Sequence, residues 1–123
     1  MLFRSLAVIK LDTAGVGVWT NTYLRTPGAD SHMRGFAVDS SGDVLLTGQT
    51  YNGTDTDYST LKLHGGTGTN LWINHFDGSG GTGDDPSVLV VTSAGEVIVT
   101  GNSTATNFSD YLTVKYSAAG TPV

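Results

Sequence analysis

The chain has no cysteine, which excludes disulfides, thiolate nucleophiles and cysteine-ligated metals. It has one glutamate, Glu96, with no evident partner carboxylate for paired acid–base work. Six basic residues stand against eleven acidic ones, for a net charge of −5. The basic residues are scattered, so no positive stripe is available to neutralise phosphates, and nucleic acid is not an expected partner. No apolar run approaches the roughly eighteen residues that a membrane span needs. The opening stretch, Met1 to Lys10, is too short in apolar residues to read as a signal peptide.

What is abundant is glycine, at 17 of 123 residues, together with Ser, Thr, Asn and Asp. That mixture suits short strands joined by tight turns. Apolar residues make up 38%, enough for a core.

The strongest signal is an internal repeat. Ala37 to Gly48 matches Val90 to Gly101 at an offset of 53, with Gly42 over Gly95 and Gly48 over Gly101. The same offset lays Trp19-Thr20-Asn21-Thr22-Tyr23 on Trp72-Ile73-Asn74-His75-Phe76, and Asp57-Tyr58-Ser59-Thr60-Leu61-Lys62 on Asp110-Tyr111-Leu112-Thr113-Val114-Lys115. Lys10-Leu11 begins a third copy of that last segment, with a one-residue loop difference near Gly65. Within each copy the apolar period is two, as in strands. Val44-Leu45-Leu46, Val88-Leu89-Val90-Val91 and Val97-Ile98-Val99 are apolar on both faces and so must be covered on both. Nine strands are predicted, at 5–12, 16–24, 35–39, 43–49, 58–64, 70–76, 87–92, 96–102 and 111–117. Four per repeat makes one antiparallel sheet per repeat, the plan of a β-propeller blade. The expected organisation is all-β: a partial blade over 1–34, a full blade over 35–86 and a partial blade over 87–123. About two and a quarter blades do not close a ring, so a slice of a longer propeller is expected, with a subunit completed as a homo-oligomer or an open two-sheet monomer as the alternatives.

The Asp-Tyr-x-Thr-x-Lys segment, the Trp-x-Asn-x-aromatic strand and the Asp-Ser-Ser-Gly-Asp-Val hairpin resemble the SBBP-type bacterial β-propeller repeat. The resemblance covers nearly all of residues 6–121. It implies tandem blades, a secreted or surface location and no catalytic residues. Two departures stand out: Ser5 replaces the aspartate of Asp57 and Asp110, and Thr92 replaces Asp39, so a loop contact made by those aspartates would be lost.

Candidate chemistry is sparse. Gly78-Ser79-Gly80-Gly81-Thr82-Gly83 spells a dinucleotide fingerprint, but Asp84-Asp85-Pro86 and a strand come next where a helix is needed, and two carboxylates repel phosphate. Asp55, Asp57, Asp84 and Asp85 are the best oxygen ligands for a hard cation, and Asp84 and Asp85 are the candidate calcium pair. Asp57 and Asp110 are read as turn caps that bond to backbone. His32, His64 and His75 lack metal-ligand spacing. Trp19 and Trp72 recur at one strand position, as packing residues do, with Asn21 and Asn74 pairing to backbone nearby. The functional expectation is a non-catalytic module presenting loops 25–34, 50–57, 77–86 and 103–110 to a protein or glycan partner. The alternatives are a carbohydrate-binding module, with or without calcium, and a slice of a propeller lyase or hydrolase.

Overall fold

The computed structural model describes residues 4–78 and 81–123. Among them are nine strands and no helix: β1 (Leu6–Leu11), β2 (Gly17–Tyr23), β3 (Ser31–Val38), β4 (Val44–Tyr51), β5 (Thr56–Leu63), β6 (Asn70–Phe76), β7 (Gly81–Val91), β8 (Val97–Ala105) and β9 (Phe108–Tyr116). Every pairing is antiparallel. The strands form three sheets in sequence order: β1-β2, then β3-β4-β5-β6, then β7-β8-β9.

Of the runs apolar on both faces, that of β4 is buried on both, whereas Val88 and Val90 of β7 are 50% and 48% exposed, because no described strand covers that face of the third sheet. Along β4, Val44 and Leu46 join Val8 and Trp19 of the first sheet in one buried cluster. Leu45, between them, belongs to a second cluster with Leu89, Val97, Val99 and Tyr116 of the third sheet. Successive residues of a strand point to opposite faces, so the middle sheet is buried on both sides. Each such leucine taken out of water contributes roughly 1.5–3 kcal/mol.

Several predicted boundaries move: β8 and β9 extend toward each other, to Ala105 and from Phe108 rather than 102 and 111, and two sheet starts move further. The second and third sheets begin at Ser31 and Gly81 rather than at 35 and 87. Their added segments are polar or rich in Gly and Pro, so they carry no apolar alternation. They pair through irregular register at Met33/Gly35, Gly81/Asp84 and Pro86/Val88. The reading of 78–83 as a phosphate loop lies partly outside the described residues, at Ser79 and Gly80. From Gly81 onward the chain is β7, a strand and not the helix that a phosphate loop requires. The signal-peptide reading of the opening residues likewise falls partly outside them, at 1–3.

The hairpin turns repeat. Gly42 and Gly95 take φ of 82° and 80°, the left-handed conformation that glycine adopts without a Cβ clash. Asp39 Oδ1 accepts the N–H groups of Ser41 and Asp43 at 2.9 and 3.0 Å. Thr92, in its place one repeat later, keeps one such bond, from Glu96 N at 3.1 Å. The hydroxyl therefore preserves part of the contact that its sequence departure put in doubt.

Candidate functional site

The loops that differ most between repeats meet at one end of the sheets, and much of their length is strand. Residues 31–34, 50–51, 56–57, 81–86, 103–105 and 108–110 all lie within strands, which leaves short turns between them. The turn after β4 is organised by Asn52, whose Oδ1 accepts Thr54 N and Asp55 N at 2.7 and 3.0 Å. The Asn52 amide nitrogen donates to Asp55 Oδ1 at 2.6 Å and to Asp57 Oδ2 at 3.0 Å.

Asp57 is only 1% exposed and pairs with the Arg25 guanidinium. The expected turn cap is therefore replaced by something else. Asp57 sits inside β5, and its partners among the described residues are the side chains of Arg25 and Asn52. Asp110, its counterpart one repeat later, is exposed on β9.

Asp55, Asp57 and Asp77 bring carboxylate oxygens within 4.8 Å of one another. The neighbouring charge of Asp57 is the main cause that raises the Asp77 carboxyl above its ordinary range. The cluster already holds two donors, Arg25 and the Asn52 amide, so a cation would have to displace the guanidinium. Asp77 comes directly after β6, and nothing in the sequence marked it.

The two acids singled out as a calcium pair do not converge. Adjacent on β7, they diverge: Asp84 is 3% exposed and accepts Gly78 N. Asp85 is on the open side and receives Arg34 in a two-pronged pair at 2.8 and 2.9 Å.

A second polar group links the first and middle sheets. Tyr23 Oη lies 3.0 Å from His75 Nε2, and Ser59 Oγ lies 2.7 Å from His75 Nδ1. Desolvation, then the Arg25 charge, lowers the His75 pKa below its ordinary 6.5, while Asp57 opposes them. Although serine and histidine meet here, Ser59 is fully buried and cannot receive a substrate. His32 lies 3.4 Å from an Arg4 guanidinium nitrogen, and His64 accepts turn N–H groups.

The tryptophans clasp successive sheets together. Trp19 Nε1–H donates to Gly65 O at 3.1 Å, and Asn21 Nδ2 donates to Gly68 O at 2.7 Å. One repeat on, Trp72 Nε1–H donates to Ala118 O at 3.2 Å, and Asn74 Nδ2 donates to Gly120 O at 2.6 Å. Gly68 and Gly120 lie against the indoles so closely that a Cβ would sit 2.6 and 2.7 Å from ring carbons. Gly48 and Gly101 serve close approach in another way. A Cβ on either would lie within 2.4 Å of the carbonyl oxygen of His32 or Asp85 on the paired strand.

The fold defines an all-β protein of stacked antiparallel sheets built on a repeated clasp. No protein-family model matches the chain, and no curated protein matches it. Among the described residues no helix is long and apolar enough to cross a membrane.

Proposed function

We propose that the chain is a run of consecutive β-propeller blades acting as a non-catalytic interaction module, with its loop end turned to a protein or glycan partner outside the cell. One observation carries this reading. The same tryptophan–asparagine clasp is made twice, in the same direction, from one sheet to the turn of the next. A clasp that always points to the next sheet builds an array by repetition, as blades do. The middle sheet supports it as a four-stranded meander covered on both faces. The extracellular setting rests on the resemblance to SBBP-type repeats alone.

Repeat scaffolds commit their strands to packing and leave turns free to vary. Arrayed glycans and surface proteins offered to the purified chain should yield a ligand that is bound and not turned over. Replacing the turn at 52–55 with the tight β8–β9 turn should abolish that binding and leave the chain folded, with a lower melting temperature because the buried Asp57 loses the Asn52 amide. Conversion of the ligand to product would overturn the non-catalytic reading. Binding indifferent to every turn exchange would overturn the loop-end reading.

A further inference from the structure

Phe36 and Val38 are 55% and 54% exposed, yet their counterparts one repeat later, Leu89 and Val91, pack in the core between the middle and third sheets. The cause lies in the sheet that each pair faces. Leu89 meets a four-stranded sheet and is covered by strands including β4, whose Leu45 joins its cluster. Phe36 pairs with Leu46 and shares its face, which looks toward the first sheet. That sheet has only β1 and β2, the counterparts of β5 and β6. Among the described residues, nothing corresponding to β4 pairs with the far edge of β1.

The result is a corner. One wall is the unpaired backbone edge of β1, and the floor is apolar. A groove of about 340 Å³ lies there, lined among others by Val8, Trp19, Phe36, Val38 and Val44. Its one cation, Lys10, already donates to Gly65 O at 2.5 Å, so no free charge calls for an acidic guest. Val8, Trp19 and Val44 also belong to the buried cluster between the first and middle sheets, so the groove continues an interface that already exists.

We propose that this corner is a strand-docking site whose occupant is the second strand of another repeat of this type. That strand is apolar on both faces, with the chemistry of Val44–Thr47 or Val97–Thr100. Main-chain bonds to β1 would supply affinity, and the side chain equivalent to Leu45 would rest on Phe36, as Leu45 packs with Leu89. An exposed strand edge beside an apolar surface is a template for such addition. The inference rests on the repeat and its sheet stacking, and not on ring closure or on any ligand at the loop end. It can therefore fail while the proposed function stands, and the reverse.

The test adds a fluorescent peptide of residues 31–51 to the whole chain. Saturable one-to-one binding is expected, with slowed hydrogen exchange at the amides of Leu6–Leu11. Phe36→Asp in the chain, or Leu45→Asp in the peptide alone, should weaken binding by about tenfold or more, the loss of roughly one good apolar contact. Val18→Asp, on the opposite face of the first sheet, should leave it unchanged. The peptide variant leaves the chain untouched, so the test survives if Phe36→Asp fails to fold. Absence of binding would overturn the proposal, as would indifference to both variants or protection of β9 instead of β1. A chain that dimerises unaided with β1 protected by any strand of the second copy other than β4 or β8 would also overturn it.

Discussion

Tyr58 and Tyr111 hold the same position one repeat apart, yet Tyr58 is wholly buried and Tyr111 is 95% exposed. Tyr58 lies under the third sheet and donates its hydroxyl to Asn102 O at 3.2 Å. Tyr111 lies on the outer face of the third sheet, which no described strand covers. Closely matching local sequence thus meets opposite environments, and the number of neighbouring sheets decides which.

Burial, joined by the charges of Asp84 and Asp85, pushes the Tyr58 pKa up to about 12. A phenolate absorbance titration should show Tyr58 among the last of the five tyrosines to ionise, and Tyr58→Phe should remove that step. The folded pKa lies above the ordinary 10.0, so the stability tied to this group is complete below pH 10.0 and falls as pH rises toward about 12.

Lys62 meets Asp39 at 2.8 Å and Asp43 at 3.5 Å, with little exposure of Lys62 or Asp39. Burial opposes both charges. The Lys62–Asp39 hydrogen bond and its companions outweigh it, holding Asp39 below its ordinary 3.8 and Lys62 above its ordinary 10.5. The Asp39 contribution is therefore present above pH 3.8 and lost as acid protonates the carboxyl below that value. The Lys62 contribution is complete below pH 10.5 and lost above it. Chemical denaturation should show Lys62→Met costing roughly 1–3 kcal/mol at neutral pH, because two carboxylates lose their partner. Lys115 and Glu96, at the matching position, form a pair at 2.8 Å that is about two-fifths exposed. Glu96→Gln should cost no more than about 1 kcal/mol.

Gly120 has φ of 85° and lies against Trp72, whereas Gly17 has open space where a Cβ would go. Gly120→Ala should lower stability by roughly 1–3 kcal/mol, from backbone strain and a displaced indole. Tryptophan fluorescence during urea unfolding would measure it. Gly17→Ala should change little, and an equal loss in both would show that the clasp is not the cause.

Desolvation and Arg25 lower the His75 pKa, so its neutral form is favoured in the folded chain. The associated stability is present above pH 6.5 and declines as pH falls through the folded pKa. Proton NMR should show His75 titrating below 6.5. Arg25→Met should move its midpoint upward by removing the charge that opposes protonation.

At the acidic cluster, Asp77→Asn should raise the melting temperature at about pH 7, because it removes repulsion centred on Asp57. The gain should shrink in acid, where Asp77 protonates in the folded chain before it would in the unfolded one. With Arg25 on Asp57, added calcium should leave the melting curve where it is. A calcium-dependent rise, absent from Asp77→Asn, would show that a cation displaces the guanidinium.

Nine strands and their partition into two, four and three were legible because apolar alternation and a period of 53 residues are local properties of the chain. Val44-Leu45-Leu46 is covered on both faces, as its apolar run requires, but Val88-Leu89-Val90-Val91, equally apolar on both, is covered on one only. The polar beginnings of β3 and β7 were not legible, because main-chain pairing and register irregularities hold them and leave no mark in hydropathy. Nor could the sequence join Arg25 to Asp57, or Asp77 to Asp55 and Asp57. Those pairings depend on which strand ends the sheet order brings together, and charge acts through space rather than along the chain. The order of amino acids alone dictates which residues repeat and which face of each strand is apolar. Which of those faces are covered is set by the assembled sheets, because burial depends on a neighbour, and among the described residues the first and third sheets each have one on one side only.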